Sequence, residues 1–224
     1  MKGFSSAIIQ ILALLTMTVD HFGLFLMGDF MPYRAIGRMA MPLFVLMLTE
    51  GFMHTRSRWR YFWRIVGLGV LAELPFWLLH VVFGYPMTIT LLFGFAIGFV
   101  LMALLEKSWW CLAIAPIAVL GAQALNVEYG GSLIVMIGIF YVAKRCFPEQ
   151  AVARKMLQSL GLVASCVFYY LSGGDLFQFW SLLALLPIWA YDGSKGKRAP
   201  RVFSYLYYPA HLLVIFLLML IFYR

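Results

Sequence analysis

The sequence predicts an all-α integral membrane protein, folded as a single bundle of nine membrane-spanning helices. Of its 224 residues, 64% are hydrophobic and 12% are charged, and the mean hydropathy is +0.91. Soluble domains are typically about 45–50% apolar, so a globular core does not need this composition. The length suits one transmembrane domain over residues 1–224 and leaves no room for a separate soluble domain.

Nine apolar runs give the count of predicted spans. A membrane helix needs about 20 mainly apolar residues, with about 17 to 25 the usual range. The runs are Phe4–Met27, Met39–Met53, Tyr61–Val82, Ile89–Leu105, Trp109–Leu125, Tyr129–Ala143, Leu157–Leu171, Leu176–Tyr191 and Phe203–Tyr223. The second, sixth and seventh are short, which allows a tilted helix, an extension past these limits, or a re-entrant segment. The first is interpreted as a retained helix, because no small-residue cleavage site follows it.

The basic residues are distributed as nine spans require. Three clusters of four fall on one side of the membrane, together with Lys2 and Lys107: Arg56, Arg58, Arg60, Arg64; Lys144, Arg145, Arg154, Lys155; Lys195, Lys197, Arg198, Arg201. Because cytoplasmic loops carry the Lys/Arg excess, this predicts a cytoplasmic N-terminus and an external C-terminus. Topology alone accounts for these clusters, and a phosphate-bearing ligand at the cytoplasmic face is compatible with them.

A set of polar residues inside or beside the spans is not explained by topology. On insertion scales a charge at mid-membrane costs about 2.5 to 3.5 kcal/mol, so such residues normally face the bundle interior and pair. They are Asp20, His21, Arg34, Arg38, Glu50, Glu73, Asp192 and His211. Together they predict a polar interior.

Asp20 and His21 are adjacent in sequence, so on a helix they point about 100° apart and cannot share a good hydrogen bond. Arg34 and Arg38 are four residues apart and lie on one helical face. We therefore expect Asp20 to pair with Arg34 or Arg38 across the first two helices. This pair is either part of a reactive site or a structural ion pair.

The histidines and glutamates also have two interpretations each. His21 belongs to a catalytic site or only bridges helices by a hydrogen bond, and the same alternatives hold for His211 near the middle of the last span. Glu50 and Glu73 precede the helix-weakening Gly51 and Pro75, which favours a polar lining, although either glutamate would also serve as an anchor. His54 and His80, at the ends of spans, are expected to be solvated.

Other site classes find no support in the sequence. Cys111, Cys146 and Cys166 form no CxxC pair, which argues against a metal site and a disulfide framework. No feature points to nucleic-acid binding.

Six motifs in a fixed order carry a resemblance to a known family. They are "MTVDHFG", "AIGRMAMPLFVLMLTEGFMHTRS", "LAELPFWLL", "TITLLFG", "WAYDGSKGK" and "FSYLYYPAHLLVI". In this order and with this apolar spacing, the chain resembles the TraX family of bacterial membrane proteins from its first span to its last. One departure is Asp192, where an asparagine would be expected in a "YNG" turn.

The resemblance implies acetyl transfer. The founding member is tied to N-acetylation of conjugative pilin, and other members are associated with fimbrial assembly. The family is similar to multi-span acyltransferases that use cytoplasmic acyl-CoA and an intramembrane histidine, which His21 matches by position. The resemblance thus implies a bacterial inner-membrane protein that moves an acetyl group from acetyl-CoA to an amine of pilin or another surface substrate.

Residue roles follow as expectations from this resemblance and from acid–base chemistry. A neutral imidazole suits an amine acceptor, and an arginine suits a developing oxyanion. The candidate catalytic residues are His21, Asp20, Arg34, Arg38, His211, Glu50 and Glu73. The candidate cofactor-binding residues, for the phosphates of coenzyme A, are Arg56, Arg58, Arg60, Lys195, Lys197 and Arg198. Whether His21 acts as a base or carries the acyl group stays open.

Two other functions remain compatible with the sequence. A non-enzymatic pilus or fimbrial assembly protein would keep the fold and bind pilin rather than acetyl-CoA. A proton-coupled transporter would also bury acids and histidines, but the chain lacks the matched pair of interrupted helices that usually marks one.

Overall fold

The computed structural model describes residues 3–196 and 201–222. The described chain is 82% helical. In these residues no β-strand forms, and the only extended pairings are isolated bridges between Phe4 and Tyr191 and between Ile89 and Val127. The all-helical class is confirmed.

The first half of the chain contains four helices and a π-helical extension. The α-helices are α1 (Ser6–His21), α2 (Met31–Gly37), α3 (Ala40–His54) and α4 (Arg58–Phe83), and the π-helical segment Phe22–Leu26 continues α1. Ser5 caps α1, because its hydroxyl accepts a hydrogen bond from the Ile8 N–H.

The second half alternates long α-helices with 3₁₀ segments. The α-helices are α5 (Leu91–Lys107), α6 (Ala115–Ala124), α7 (Gly130–Cys146), α8 (Ala151–Leu171), α9 (Leu185–Ala190) and α10 (Arg201–Phe222). The 3₁₀ segments Trp109–Ile114 and Leu176–Ala184 lead directly into α6 and α9.

Each of the nine predicted runs coincides with a helical segment within the described residues. The short seventh run proves to be a longer helix, Ala151–Leu171, and the second run lies in the helical stretch Met31–His54, which comprises α2, a turn at Arg38 and Met39, and α3. Together with Ser6–Leu26 and Arg58–Phe83, these are the four described helices that are long and apolar enough to cross a membrane. At about 1.5 Å per residue, a helix such as the 17-residue α5 covers about 25 Å of a hydrocarbon core about 30 Å thick. The orientation of the termini stays a prediction.

The chain divides into two compact units. The first comprises Met1–Phe44, Leu68–Met87 and Trp180–Arg224, and the second comprises Val45–Gly67 and Thr88–Phe179. In the first unit, buried side chains from the π-helical segment, α4 and α10 form one apolar cluster: Phe25, Phe76, Leu79, Leu212, Ile215 and Met219.

The core of the second unit depends on a close approach between α5 and α7. Gly94 and Gly98 lie four residues apart on α5, and a Cβ at either position would meet Leu133 or Ile137 of α7. Both of those side chains are fully buried. This small-xxx-small spacing lets the two backbones approach closely, as is common between membrane helices.

Filling this contact should therefore destabilise the protein. For Gly98→Leu we expect the free energy of unfolding to fall by about 1–3 kcal/mol, the usual cost of overpacking. The matched control is Gly67→Leu on α4, where a Cβ has nothing within 4 Å. Thermal unfolding of the purified variants in detergent measures the difference. Equal behaviour of the two variants would show that the α5–α7 contact is not this tight.

Candidate functional site

A chain of hydrogen bonds links α1 to α10 in the first unit. The Nδ1 atom of His21 lies 2.7 Å from the Nε2 atom of His211. The Nδ1 atom of His211 lies 3.0 Å from the carbonyl oxygen of Tyr207, one turn earlier on α10. Both imidazoles are buried. The sequence placed these two histidines as separate candidates, and the structure brings them into direct contact.

The carbonyl group at the end of this chain determines where the protons of the neutral rings lie. A carbonyl oxygen can only accept, so His211 Nδ1 carries the proton and donates to Tyr207. His211 Nε2 is then an acceptor, and it receives the Nδ1–H of His21. The remaining nitrogen of His21, Nε2, is left with its lone pair and has the properties of a base.

Aromatic and hydroxyl groups hold this chain of hydrogen bonds in place. The Tyr207 ring stacks on His211 at a centroid distance of 5.7 Å, and the Tyr208 ring meets it edge-on at 5.4 Å. The hydroxyl groups of Tyr207 and Thr18 are 2.7 Å apart, which adds a second hydrogen bond between α10 and α1. The orientation of His211 is therefore constrained on several sides.

Asp20 forms the ion pair that the sequence predicted, and its partner is Arg34. Arg34 Nη1 lies 2.7 Å from Asp20 Oδ2, and both side chains are largely buried. Arg34 Nε also donates to Asp29 Oδ1 at 3.0 Å, so one guanidinium bridges a buried and an exposed carboxylate. Arg38 also attracts the Asp20 carboxylate electrostatically.

The local backbone explains how α2 comes so close to Asp20. A Cβ at Gly37 would overlap Cβ and Oδ1 of Asp20, so only glycine fits there. The chain reaches α2 through a turn at Gly28 and Asp29, which have φ of 60° and 63°. The π-helical segment begins directly after His21, and such segments frequently occur at functional sites.

His80 is a residue that the sequence analysis misjudged. The prediction that it is solvated is wrong, because His80 is only 8% exposed. Helix α4 continues past it to Phe83, and this face packs on the apolar cluster that contains Phe76. His80 Nδ1 donates to the Phe76 carbonyl at 2.7 Å. Its ring lies 6.4 Å from that of Phe25, and the Phe25 ring lies 6.0 Å from that of His21.

The signal for His80 was present in the sequence only weakly. A histidine four residues after Phe76, inside an otherwise apolar helix, can bond its own i−4 carbonyl and so remain buried. The expectation for His54 agrees better with the structure. Its side chain is exposed at the end of α3, with Nε2 3.3 Å from Glu50 Oε2.

The two glutamates lie in different units. Glu50 is buried in the second unit, where it pairs with Lys144 of α7 and with His54. This is the arrangement of an interhelical anchor. Glu73 is half-buried on the part of α4 that belongs to the first unit, and α4 continues through Pro75.

The predicted cofactor-binding cations differ in their surroundings. Arg58 Nη2 and Nε donate to the two oxygens of Glu106 at 2.8 and 3.2 Å, and this hydrogen bonding holds the pKa of Glu106 below its usual value. Arg56 and Arg60 are exposed in the second unit, and Lys195 is exposed in the first. Lys197 and Arg198 lie outside the described residues.

Asp192 has a local role that its sequence context suggested. Its Oδ1 accepts the Ser194 N–H at 2.8 Å, and its own N–H donates to the Phe4 carbonyl at 3.0 Å. These bonds fix the turn after α9 against the start of the chain. An asparagine would provide the same acceptor.

Comparison with known proteins identifies the family. The family model described as TraX protein matches residues 5–219. This chain belongs to the TraX family. It is 28% identical over 240 residues to the probable fimbrial assembly protein FimC, serogroup H1, of Dichelobacter nodosus, an alignment that covers 93% of each chain. No solved structure matches the chain. The resemblance drawn from the six motifs is confirmed, and membership in TraX accords with the apolar helices of a membrane protein.

The buried ion pair of this TraX protein gives a direct test of the site. For Asp20→Asn we expect a loss of about 3–5 kcal/mol of stability, because Arg34 is then left buried without its main partner. The double variant Asp20→Asn with Arg34→Gln should recover much of this loss, since Asp29 is exposed and tolerates the change. Detergent-solubilised yield and thermal unfolding are the measurements.

The matched control replaces the other arginine. Asp20→Asn with Arg38→Gln should not recover stability, because Arg34 still lacks its buried partner. Losses that simply add in both double variants would mean that Asp20 and Arg34 are not energetically coupled.

Proposed function

We propose that this TraX family protein is a membrane acetyltransferase. It takes an acetyl group from acetyl-CoA and transfers it to an acceptor amine, with His21 as the general base. The observation that supports this most directly is the hydrogen-bond chain from Tyr207 through His211 to His21. This chain leaves His21 Nε2 with a lone pair in a fixed orientation. A base that takes a proton from an amine needs such a lone pair.

The acid–base chemistry of the transfer is assigned to His21. The pKa of an α-amino group is near 8, so part of it is neutral at physiological pH. When the nitrogen of the neutral amine bonds to the acyl carbon, it must lose one proton. His21 Nε2 accepts that proton. When the carbon–sulfur bond breaks, His21 returns the proton to the departing thiolate and becomes neutral again. Acetyl-CoA supplies the activated acetyl thioester.

His211 and the Asp20 pair are assigned supporting roles. When His21 takes up a proton, its Nδ1–H remains hydrogen-bonded to His211. The ring therefore becomes positively charged without changing its orientation. The charge of Arg34 is divided between Asp20 and Asp29. Arg34 and Arg38 both lie close to Asp20, and either one is a candidate for the cation that stabilises a developing oxyanion.

The phosphates of coenzyme A are assigned to exposed basic side chains rather than to Arg58. Arg58 already makes two hydrogen bonds to Glu106. Lys195 is exposed in the first unit, the unit that contains His21, and has the character of a phosphate ligand. The acceptor is an amine of pilin or another surface substrate, and the protein acts in the bacterial inner membrane.

A non-enzymatic role in fimbrial assembly is the second candidate. It is favoured by the name of the relative from Dichelobacter nodosus, which aligns with 93% of this chain. An assembly protein would bind pilin and would not be stabilised by acetyl-CoA. The same protein preparation separates the two functions, because only the enzyme should show thermal stabilisation and label transfer with radiolabelled acetyl-CoA.

The central prediction concerns His21. For His21→Ala we expect a folded, membrane-inserted protein that is still stabilised by acetyl-CoA but transfers label at least about 100-fold more slowly, the usual scale for a general base. The control is His54→Ala, an exposed histidine of the second unit, which should transfer normally. Normal transfer by a well-folded His21→Ala protein would refute the assignment.

A second prediction concerns the positioning role of His211. A glutamine can donate its amide N–H to the Tyr207 carbonyl and accept the His21 Nδ1–H through its oxygen. We therefore expect His211→Gln to retain about tenfold more activity than His211→Ala, and to keep the pH profile of the unmodified enzyme. Equal loss in both variants would indicate that His211 only fills space.

A further inference from the structure

His80 is a buried histidine that the proposed reaction does not use. It lies on the part of α4 that belongs to the first unit, which also contains His21 and His211. Its Nδ1–H is donated to the Phe76 carbonyl. The other ring nitrogen, Nε2, therefore carries the lone pair when the ring is neutral. His80, like His21, thus has a nitrogen that can accept a proton.

Contacts around the π-helical segment hold His80 close to His21. The Tyr85 hydroxyl group donates to the Leu24 carbonyl at 3.2 Å, and the Tyr85 N–H donates to the His80 carbonyl at 3.0 Å. The end of α4 is therefore tied to the segment that begins directly after His21. The Phe25 ring is a neighbour of both imidazoles, at centroid distances of 6.0 Å from His21 and 6.4 Å from His80. The two histidines are close enough for a charge on one to act on the other.

The rings around His80 suit a positive charge better than an aliphatic core would. The Phe76 ring lies 4.2 Å from the His80 ring, and the Tyr85 ring lies 6.3 Å from it. The π-system of an aromatic side chain attracts a cation at about these distances. A protonated His80 would therefore keep some of the stabilisation that an apolar interior withholds.

Other charged and titratable groups lie on the elements packed around His80. They are Glu73 two turns earlier on α4, Tyr85 after α4, His21 on α1, Tyr208 and His211 on α10, and Arg34 on α2. Arg34 is paired with Asp20, so its charge opposes a proton on His80 less than an unpaired guanidinium would.

The proposed acetyl transfer needs a second proton acceptor. The pKa of an α-amino group is near 8, so at pH 7 about nine tenths of it is the ammonium form. Conversion of an ammonium group to an amide removes two protons from its nitrogen. His21 takes one of them as the carbon–nitrogen bond forms, and returns it to the departing thiolate. The other proton must leave earlier, because an ammonium nitrogen has no electron pair with which to attack.

We infer that His80 is the base that takes this first proton from an ammonium acceptor. The assignment rests on the proposed acetyl transfer and adds the form in which the acceptor binds, which is the protonated amine. His80 Nε2 accepts one N–H proton, and the nitrogen of the acceptor keeps the electron pair of that bond. The neutral amine then attacks the thioester with His21 as its base. His80 releases its proton to water, so each turnover sends one proton to the solvent and one to the thiol of coenzyme A.

The test compares two acceptors in the acetyl-CoA label-transfer assay on the purified full chain. Trialanine is mostly ammonium at pH 7, whereas aniline is already neutral. In His80→Asn the side-chain amide can still donate to the Phe76 carbonyl, but it cannot take up a proton. We expect kcat/KM for trialanine to fall about tenfold at pH 7, where about one tenth of the amine is neutral, and to lie within about twofold of the unmodified protein at pH 9. Transfer to aniline at pH 7 should be unchanged.

Two control variants separate the bases. His21→Ala should slow transfer to both acceptors at both pH values, because its proton is lost during the attack itself. His54→Asn changes an exposed histidine of the second unit and should transfer normally to both.

Magnetic resonance of ¹⁵N-histidine-labelled protein detects the proton on His80 without turnover. The chain has four histidines, so single substitutions assign each ring. Trialanine added at pH 7 in the absence of acetyl-CoA should protonate Nε2 of His80, and aniline should not.

Several results would contradict this role. A loss in His80→Asn that is equal for both acceptors, or that persists at pH 9, would make His80 a structural residue, and normal transfer to trialanine at pH 7 would exclude it as a base. If the unmodified protein transfers label while His80 stays unprotonated with trialanine bound, His80 loses its role and acetyl transfer stands. If the unmodified protein acetylates neither acceptor and its histidine resonances do not respond, the proposed function fails together with the role of His80. His80→Gln replaces His80→Asn in these measurements if the latter does not fold.

Discussion

The hydrogen bond between His21 and His211 is the contact on which the site of this TraX protein depends. It joins the first long helix of the chain to the last, across 190 positions of sequence. In an apolar interior a polar group without a partner is costly, so each imidazole stabilises the burial of the other. The Tyr207 carbonyl makes this mutual arrangement directional, because it removes the alternative tautomer of His211. In the proposed reaction, the availability of His21 Nε2 as a base is therefore a consequence of packing between α1 and α10.

The same rule applies to the charged groups buried in the second unit. Glu50 is as deeply buried as the histidines, but both of its oxygens are bound, one by Lys144 and one by His54. Arg58 and Glu106 are similarly paired. The pairing of these carboxylates fits the stabilisation of contacts between helices. Buried charge by itself therefore does not single out a reactive group, and the role proposed for His21 rests on the orientation of its remaining lone pair.

How much the sequence could predict depends on how far apart in the sequence the interacting residues lie. Apolar runs are a local signal, so every predicted span coincides with a helical segment. The ends of the helical stretches Met31–His54 and Ala151–Leu171 were missed only where polar residues continue them. The Asp20 pair was predictable because Arg34 and Arg38 are close in sequence, although choosing between them required the Gly37 contact. The partner of His21 was not predictable from the residues, because it lies on the last helix. His80 was misjudged because its partner is a backbone carbonyl, which no side-chain pattern reveals.

The juxtaposition of Asp20 and His21 now has a geometrical explanation. Successive residues on a helix point about 100° apart, so the two side chains serve different neighbours of α1. Asp20 is directed to α2 and is neutralised there by Arg34, with Gly37 packed against it. His21 is directed to α10, where its hydrogen bond to His211 determines its tautomer. The acid fixes the position of α1 against one helix, and that position presents the imidazole to the other. Asp20 is therefore kept for Arg34, and the Nδ1–H of His21 is oriented by a neutral acceptor on α10.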